Sequence, residues 1–197
     1  MALLNIIDQI TQQLDSKALS LGIFIDLSKA FDTIDHNILI NKLEIYGIRG
    51  IALNWFKSYL SNRMQSVEVN CNMSSLRAIT CGIPQGSILG PLLFVIYMND
   101  IVHVSSVMKI ILFADDTNLL LNSTNLNDLI ATANTEIQKI SDWLKINKLS
   151  LNIKKTHFIL FHFRQKKITL DFKIKIDNSE VEQATFTKFL GVVLQEN

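Results

Sequence analysis

The stretch "IILFADDTNLLL" (residues 110–121) places two adjacent acids, Asp115 and Asp116, between two apolar runs. Apolar runs of this length around a polar break predict two buried strands joined by a tight turn. Aspartate is common in turns, so a simple turn would explain one acid at this point. Two neighbouring carboxylates beside an apolar core repel each other, however, and a cation-binding site is the second explanation.

Asp26 ends another apolar run, "LGIFIDL" (residues 21–27), which predicts a further buried strand. If this strand lies beside the hairpin, three carboxylates meet at one edge of a sheet. Such a group is unfavourable unless protons or cations balance its charge. Carboxylate oxygens suit Mg²⁺, which binds one or two of them together with substrate phosphates. Two such ions about 3.5–4 Å apart support nucleotidyl transfer, or nuclease chemistry when water attacks.

The length and hydropathy of the chain predict one domain covering residues 1–197. The longest strictly apolar stretch, residues 92–98, is far shorter than the ~20 residues that a membrane-spanning helix needs. The first 15 residues meet acids and glutamines too early for a signal peptide. We therefore expect an intracellular protein without membrane contact, located in the nucleus, the cytoplasm or both.

Charge is distributed unevenly along the chain, although the net charge is only +1. Residues 1–144 hold 9 basic and 13 acidic residues, a net of −4, whereas residues 145–197 hold 10 and 5, a net of +5. This pattern suits an acidic active site beside a phosphate-binding flank, and a solvated charged surface is the alternative. The basic run "RQKK" (residues 164–167) has two similar interpretations, contact with template phosphates or a solvated turn. Cys71 and Cys81 lack the spacing of metal ligands.

Hydrophobic periodicity predicts helices and antiparallel strands in mixed order, hence an α+β fold with a sheet packed on helices. Ser28 is the predicted N-cap of the second helix and Gly47 its stop, while Asp32, Asp35 and His36 are expected to cap and pack. The predicted helices cover residues 3–15, 29–46, 51–62, 92–102 and 126–147. The predicted strands cover residues 21–27, 64–71, 76–82 (after a turn at 72–75), 109–113, 117–121, 157–163, 168–176 and 189–194.

Several longer motifs follow one another in a set order. The three main ones are "FIDLSKAFDTIDH" (residues 24–36), "GIPQGSILGPLLFVIYMNDI" (residues 82–101) and "FADD" (residues 113–116). The supporting ones are "YLSNRMQSV" (59–67), "LSLNIKKTHFILF" (149–161) and "KFLGVVL" (188–194). In this order and spacing the chain resembles the reverse transcriptases, most closely those of jockey-like non-LTR retrotransposons. The resemblance implies a polymerase palm, an antiparallel sheet packed on helices, with fingers and thumb largely missing at the two ends.

The resemblance also implies roles for individual residues near the acids. Asp26, Asp115 and Asp116 match the catalytic metal-ligand acids of the family, and the backbone carbonyl of Leu27 is a further candidate ligand. Two Mg²⁺ ions, with Mn²⁺ as an alternative ion, are the implied cofactors. Lys155 matches a lysine near the nucleotide phosphates, where it could protonate the leaving pyrophosphate. A solvated surface lysine is the alternative for that position.

Substrate-binding residues are implied in the same way. Phe31 matches the steric gate that leaves no room for a 2′-hydroxyl group, with an ordinary core phenylalanine as the alternative. Pro84, Gln85 and Gly86 match a loop beneath the incoming nucleotide and template, where glycine permits close backbone approach and proline adds stiffness. A plain helix-capping loop is the alternative. Residues 188–194 resemble a hairpin that supports the primer 3′ end, although a simple edge strand would look the same.

The implied function is RNA-directed DNA polymerisation, in which a dNTP is joined to the 3′-hydroxyl group of a DNA primer on an RNA template. Few residues precede Asp26 or follow residue 194, so fingers, thumb and endonuclease regions would belong to a longer polyprotein. We therefore expect weak or no processive synthesis by this chain alone, because phosphate contacts supply much of the affinity for nucleic acid. The alternative is a decayed or domesticated remnant that binds nucleic acid or protein without catalysis. A two-metal nuclease is disfavoured by Phe31 and the loop at residues 82–87.

Overall fold

The computed structural model describes residues 2–163 and 172–196. Its helices are α1 (Ala2–Asp15), α2 (His36–Ile45), α3 (Gly50–Leu60), α4 (Leu89–Met98) and α5 (Leu126–Ile146), with a 3-10 helix over Asn99–His103. Its strands are β1 (Leu19–Ile25), β2 (Leu27–Ser28), β3 (Met64–Gln65), β4 (Glu68–Val69), β5 (Asn72–Met73), β6 (Arg77–Ala78), β7 (Lys109–Phe113), β8 (Asp116–Ser123), β9 (Ser150–Leu151), β10 (His157–Phe161), β11 (Lys175–Ile176), β12 (Ser179–Glu180), β13 (Glu182–Gln183), β14 (Phe186–Phe189) and β15 (Val192–Gln195).

The chain divides into two compact units, which we call unit 1 and unit 2. Unit 1 comprises the described residues of 1–28, 100–146 and 150–197, and unit 2 comprises residues 29–99 and 147–149. The predicted α+β class is confirmed, since helices and mainly antiparallel strands alternate irregularly along the chain.

A five-stranded sheet in the order β13-β10-β1-β8-β7 forms the centre of unit 1. All neighbouring strands are antiparallel except β10 and β13, which are parallel. Every residue of β1 is buried, as expected for a central strand that is covered on both faces. Gly22 lies in the middle of β1, where a Cβ atom would come within 3.1 Å of the Phe161 ring. A side chain at this position would therefore disturb the packing of the central strand.

Two helices contact this sheet. The predicted first helix is confirmed as α1, whose buried Ile6 and Ile10 join Phe24, Ile111 and Ile159 of the sheet in one apolar cluster. Helix α5 contacts β1 and β8. Its buried apolar positions recur every three or four residues, at Leu129, Ala133, Ile137, Ile140 and Leu144. This spacing produces the apolar stripe with which a helix covers a sheet.

The hairpin predicted from "IILFADDTNLLL" is confirmed. Phe113 of β7 pairs with Asp116 of β8, so Ala114 and Asp115 form a two-residue turn. Ala114 has a φ of +51°, in the left-handed region that residues with a Cβ atom disfavour. The fold thus places Asp115 in the turn and Asp116 at the first position of the following strand.

The start of the second helix differs from the prediction. Ser28 lies in β2 instead of capping a helix, and α2 begins only at His36. Asp35 is the N-cap, and its Oδ1 accepts hydrogen bonds from the backbone N–H groups of Asn37 at 2.9 Å and Ile38 at 3.0 Å. The carboxylate satisfies two amide groups that the helix itself leaves without a partner, which is why the helix begins here.

The second hairpin also turns at a different point from the one predicted. The strand pairs β3–β6 and β4–β5 enclose Asn70 and Cys71, which have φ values of +50° and +63°. The predicted turn at residues 72–75 is therefore wrong, because a two-residue hairpin loop with two positive φ values forms two residues earlier. All eight residues of these four strands are exposed.

The C-terminal strand-like segment is a hairpin, with β14 paired to β15 and a turn at Leu190 and Gly191. The basic run at residues 164–167 and the first four residues of the strand predicted over residues 168–176 lie outside the described residues. Within the rest of that prediction, only Lys175–Ile176 forms a strand, β11. Within the described ranges, no helix is both long and apolar enough to cross a membrane.

Candidate active site

Asp26 and Asp116 lie at the same edge of the sheet in unit 1. Ile25, the last residue of β1, pairs with Thr117 of β8, so the next pair in this antiparallel register is Asp26 and Asp116. Both acids line a cavity of about 110 Å³. The strand that precedes Asp26 therefore lies beside the hairpin, as the proximity of the acids requires.

Backbone hydrogen bonds tie Asp26 to a neighbouring loop. Its N–H donates to Thr156 Oγ1 at 3.3 Å, and its carbonyl oxygen accepts from the N–H of Asn152 at 2.9 Å. These contacts connect Asp26 with the loop that carries Lys155. They leave the Asp26 carboxylate available for a ligand.

The three carboxylates interact electrostatically. The pKa of Asp116 is raised from its ordinary value, first by burial of its carboxylate and then by the negative charges of Asp115 and Asp26. Although much of the Asp116 side chain is exposed by area, nearby protein atoms displace part of the water around its oxygens. None of the three acids forms an ion pair with a cation among the described residues. The carboxylates at this edge of the sheet are therefore not neutralised by direct ion pairs within the described part of unit 1.

The donor atoms at this edge are carboxylate oxygens, which are the ligands that Mg²⁺ prefers. Within residues 2–163 and 172–196, no group of three or more His, Cys, Asp or Glu residues is arranged as a preformed metal site. Mg²⁺ does not require one, because it commonly takes one or two carboxylates and completes its shell with water and substrate phosphates. The unbalanced oxygen ligands of Asp26, Asp115 and Asp116 fit that mode of binding.

Lys155 lines the same cavity as Asp26 and Asp116. Its side chain is exposed and forms no ion pair or hydrogen bond with a described residue. Leu27 lies in β2, where it pairs with Leu151, and its side chain is buried. A role for the Leu27 carbonyl as a metal ligand stays a prediction.

The other candidate residues belong to unit 2. Phe31 is half-buried and stacks on Phe94, with ring centroids 4.6 Å apart and an interplanar angle of 25°. Its carbonyl oxygen accepts from the N–H of Ile83 at 2.9 Å, so the residue is fixed to the start of the glycine-containing loop. The stacking fixes where the Phe31 ring lies against Phe94, and its role as a steric gate stays a prediction.

The loop at residues 82–86 is shaped by its glycines. Gly82 has a φ of +82°, and a Cβ atom there would lie 2.8 Å from the carbonyl oxygen of Asp32. Gly86 has a φ of +78°, with open space around it. Between them, Gln85 Nε2 donates to Asp32 Oδ1 at 2.7 Å, and Pro84 and Gln85 line a cavity of about 580 Å³.

The profile of the family described as "Reverse transcriptase (RNA-dependent DNA polymerase)" matches residues 3–194. The chain belongs to the reverse transcriptase family. The resemblance inferred from the motifs is thereby confirmed.

Relatives in fruit flies support the same family. The chain is 30% identical to the "Probable RNA-directed DNA polymerase from transposon BS" of Drosophila melanogaster, over 95% of this chain and 21% of that protein. It is 26% identical to the "RNA-directed DNA polymerase from mobile element jockey" of the same organism, over 93% of this chain and 20% of that protein. The chain thus spans about a fifth of the length of these relatives.

Solved telomerase structures share the fold of this reverse transcriptase. Apo telomerase from Candida tropicalis, truncated from its C-terminal domain, superposes with a TM-score of 0.64 at 14% identity, covering 97% of this chain and 37% of that one. A telomerase from Candida albicans with a fragment of telomeric RNA superposes with a TM-score of 0.56 at 16% identity, covering 90% of this chain and 32% of that one.

The sequence did not indicate that a histidine of this reverse transcriptase, His157, connects Lys155 with strand β14. His157 Nδ1 lies 3.0 Å from the carbonyl oxygen of Lys155, and Nε2 lies 2.7 Å from Thr187 Oγ1 in β14. Because a carbonyl only accepts, Nδ1 carries the hydrogen of that contact, and Nε2 forms its hydrogen bond with the Thr187 hydroxyl group. The ring also stacks on Phe24 at 5.3 Å. His157 and Thr187 line the cavity of the acids, and Lys188 joins them there.

Proposed function

We propose that this chain forms the palm of an RNA-directed DNA polymerase and transfers deoxynucleotides to the 3′-hydroxyl group of a DNA primer on an RNA template. The observation that carries the proposal is the meeting of Asp26, Asp115 and Asp116 at one edge of the sheet, where their charges raise the pKa of Asp116. Acids that repel one another and form no ion pair are unfavourable unless a ligand of opposite charge binds them, and this supports a role in metal binding.

The three acids would hold two Mg²⁺ ions in this mechanism, with Mn²⁺ as an alternative ion. The ions supply activation of the attacking hydroxyl group and stabilise the charge on the leaving pyrophosphate. Backbone hydrogen bonds position Asp26 and the strand register positions Asp116, so the two backbones from which these side chains extend are held in place. The backbone carbonyl of Leu27 is the further ligand that we propose.

Lys155 would act on the leaving group. Its ammonium group belongs to the same cavity as Asp26 and Asp116 and forms no ion pair with a described residue. It can therefore contact the phosphates and donate a proton to pyrophosphate as that group departs. His157 helps to position Lys155 by holding its carbonyl oxygen.

Phe31 and the loop at residues 84–86 would select and support the substrate. The stacked ring of Phe31 is the proposed barrier to a 2′-hydroxyl group. Pro84, Gln85 and Gly86 would lie against the incoming nucleotide and template, where the positive φ of Gly86 keeps the backbone free of a side chain. Such contacts would favour deoxynucleotides over ribonucleotides and would contribute little to the chemical step.

The chain would work as part of a longer polypeptide, together with fingers, thumb and endonuclease regions. Its relatives are about five times longer, and phosphate contacts from further regions would add affinity for the primer and template. We propose a location in the nucleus or the cytoplasm, where RNA and deoxynucleotides meet. The chain alone is expected to add single nucleotides and to make few long products.

Single-nucleotide incorporation tests the proposal. A labelled DNA primer on an RNA template is incubated with one dNTP, Mg²⁺ and excess protein. We expect wild type to extend the primer, and Asp115→Asn to lower the rate by about 10²–10³-fold, because it removes a charged metal ligand. Asp8→Asn, a neutralised exposed acid of α1, is the matched control and should behave as wild type.

Equal rates for wild type and Asp115→Asn would contradict the metal role of the acids. No incorporation by wild type under single-turnover conditions would support the non-catalytic alternative for this chain. Long products from the isolated chain would contradict the expected dependence on further regions.

A further inference from the structure

One imidazole ring connects three segments that line the cavity of the acids in unit 1. His157 Nδ1 lies 3.0 Å from the carbonyl oxygen of Lys155, and Nε2 lies 2.7 Å from Thr187 Oγ1 in β14. The ring also stacks on Phe24, with centroids 5.3 Å apart and an interplanar angle of 17°. Because Phe24 lies two residues before Asp26, the ring connects the strand that leads to an acid with the loop of Lys155 and with β14.

The surroundings of His157 leave its ring little freedom. Its backbone lies between β1 and β13, opposite Phe24 on one side and Glu182 on the other. Phe24 and Thr187 are both buried, so the ring rests against packed atoms on its stacked face and at Nε2. Both ring nitrogens form hydrogen bonds. A displacement of Thr187 must therefore either move the ring, and with it the contact to Lys155, or break a buried hydrogen bond.

The hairpin of β14 and β15 depends on this histidine for its polar attachment. Its two strands pair with each other and with no other described strand. Within residues 2–163 and 172–196, the contact between His157 and Thr187 is the only hydrogen bond that joins residues 186–195 to the rest of unit 1. Apolar packing, including that of Phe189 and Leu194, adds to the attachment. The side chain that holds the hairpin is thus the same one that holds the carbonyl group of Lys155.

We propose that His157 is a positioning residue through which the hairpin of β14 and β15 controls the placement of Lys155. The proposal rests on the proposed function, in which Lys155 acts on the leaving group. In that step the bond between the primer O3′ atom and the α-phosphorus forms, and the bond from the α-phosphorus to the β-phosphate oxygen breaks. This oxygen takes a proton from the Lys155 ammonium group. His157 touches none of these atoms, and its part is to hold Lys155 where the proton is needed.

Hydrogen exchange tests the connection without any nucleotide. Thr187→Val removes the hydroxyl group but leaves the contact between His157 Nδ1 and the Lys155 carbonyl oxygen in place. The N–H groups of Lys155 and Thr156 donate to the carbonyl oxygen of Asn152 at 3.1 and 2.9 Å, so their exchange reports on the loop. We expect both to exchange about fivefold faster in Thr187→Val and at the rate of wild type in Thr187→Ser. Unchanged exchange of both groups in Thr187→Val would overturn the proposal.

Single-turnover kinetics tests the catalytic consequence. His157→Phe keeps a ring that can stack on Phe24 but removes both hydrogen bonds. We expect it to lower the maximal rate of incorporation by about tenfold and to change the half-saturating dNTP concentration by less than about twofold, because a misplaced acid affects the departure of pyrophosphate and not binding. A dNTP analogue with a β,γ-difluoromethylene bridge has a leaving group that is a weaker base and needs less protonation. With this analogue the loss of rate should shrink to about threefold.

A destabilised variant outside the cavity is the matched control. Asp35→Ala removes the N-cap of α2 in unit 2 and should show the same ratio of rates for the two nucleotides as wild type. Equal fold losses with both nucleotides in His157→Phe would refute the role of His157 in placing the proton donor. If wild type incorporated neither nucleotide, yet exchange near Lys155 rose in Thr187→Val, the proposed function would be contradicted and the connection between hairpin and loop would stand.

Discussion

The acidic edge of unit 1 and the basic groove of unit 2 have opposite charge imbalances. The basic groove consists of two adjoining cavities, of about 580 Å³ and 510 Å³, which share Arg63 and residues 78–80, with Lys29 in the first and Lys57 in the second. Asp26, Asp115 and Asp116 form no ion pair with a described residue, although Lys155 and Lys188 line the cavity of Asp26 and Asp116. Lys29, Lys57 and Arg63 also form no ion pair with a described residue. In both regions like charges reduce the stability of the unliganded fold. The comparison shows that the two regions suit ligands of opposite charge, and we propose divalent cations for unit 1 and an anion for unit 2.

The two regions also differ in how their charges are held. The strand register positions Asp116, and backbone hydrogen bonds position Asp26. Lys57 and Arg63 reach the groove on long side chains from a helix and from the segment that follows it. Mg²⁺ requires oxygen ligands in a nearly fixed geometry, whereas a flexible polyanion can be bound by lysine and arginine side chains that move.

The largest expected effect separates the two regions by activity. Asp26→Asn should lower single-nucleotide incorporation by about 10²–10³-fold, because it removes a charged ligand at the reacting centre. Its affinity for labelled oligouridylate, a single-stranded RNA, should equal that of wild type, whereas Arg63→Gln should bind more weakly and with a smaller dependence on salt. Quench-flow kinetics and anisotropy on the same protein samples measure both quantities. If each variant lost both nucleotide incorporation and oligouridylate binding, the two regions would not have separate roles.

The next effect concerns Asp35, an acid of unit 2 that forms an ion pair with Lys148. Asp35→Ala should lower the free energy of unfolding by about 1–2 kcal/mol, since it removes the N-cap of α2. Asp35→Asn keeps a capping oxygen and loses only the ion pair with Lys148, so it should cost less. Urea denaturation measures both. Equal losses in the two variants would show that the ion pair, and not the cap, stabilises the helix.

The pH dependence of this effect has a defined sign. The hydrogen bond from Lys148 lowers the pKa of Asp35 from its ordinary value of 3.8, and backbone N–H groups add to that shift. The folded state therefore binds the proton less tightly than the unfolded state does. The stabilisation is fully present above pH 3.8 and is lost as the pH falls through the pKa of the folded state.

A smaller effect is expected at the bridging histidine of unit 1. Thr187→Val removes the hydroxyl group that is hydrogen-bonded to His157 Nε2 and should cost about 1 kcal/mol in stability. Thr187→Ser keeps the hydroxyl group and should recover most of that loss. Hydrogen exchange of residues 186–195 should increase in the valine variant alone. Equal exchange in both variants would show that β14 is held by its apolar contacts instead.

The smallest effect is a gain of stability from charge removal. Asp116→Asn should stabilise the chain without Mg²⁺, because it removes a charge that Asp115 and Asp26 repel. The gain should be only a fraction of 1 kcal/mol, since solvent screens the charge of an exposed carboxylate. The pKa of Asp116 is raised by burial and by Asp115 and Asp26, so wild type loses stability as the pH rises above 3.8 through the pKa of the folded state. Calorimetry with and without MgCl₂ should show a weaker Mg²⁺ response in the variant. Asp8→Asn should respond as wild type does.

Periodicity and motif order were sufficient to predict much of this fold. The hairpin of β7 and β8 follows from two apolar runs around a polar pair, and α1 from apolar residues at three- and four-residue spacing. Helix starts and turns were less predictable, because Ser28 and Asp35 are both favourable caps in a sequence. Only the structure shows that the first backbone N–H groups of α2 follow Asp35 and donate to its side chain.

The candidate site was predictable only in part. The sequence indicated each acid, but the proximity of Asp26 and Asp116 depends on the order of the strands, which is a long-range property. The contact between His157 and Thr187 joins residues 30 positions apart and has no local signal. The basic groove depends in the same way on three segments that the sequence shows only as separate lysines and arginines.

Ala114 limits which sequences can occupy the tip of the acidic hairpin. With a φ of +51°, it occupies a backbone region that glycine, asparagine and aspartate enter at lower cost than other residues do. Asparagine or aspartate would place another polar group beside Asp115 and Asp116, and glycine would loosen the turn that orients them. Alanine is the smallest residue that keeps the turn stiff without adding a polar group, so natural variation at this position should be narrow.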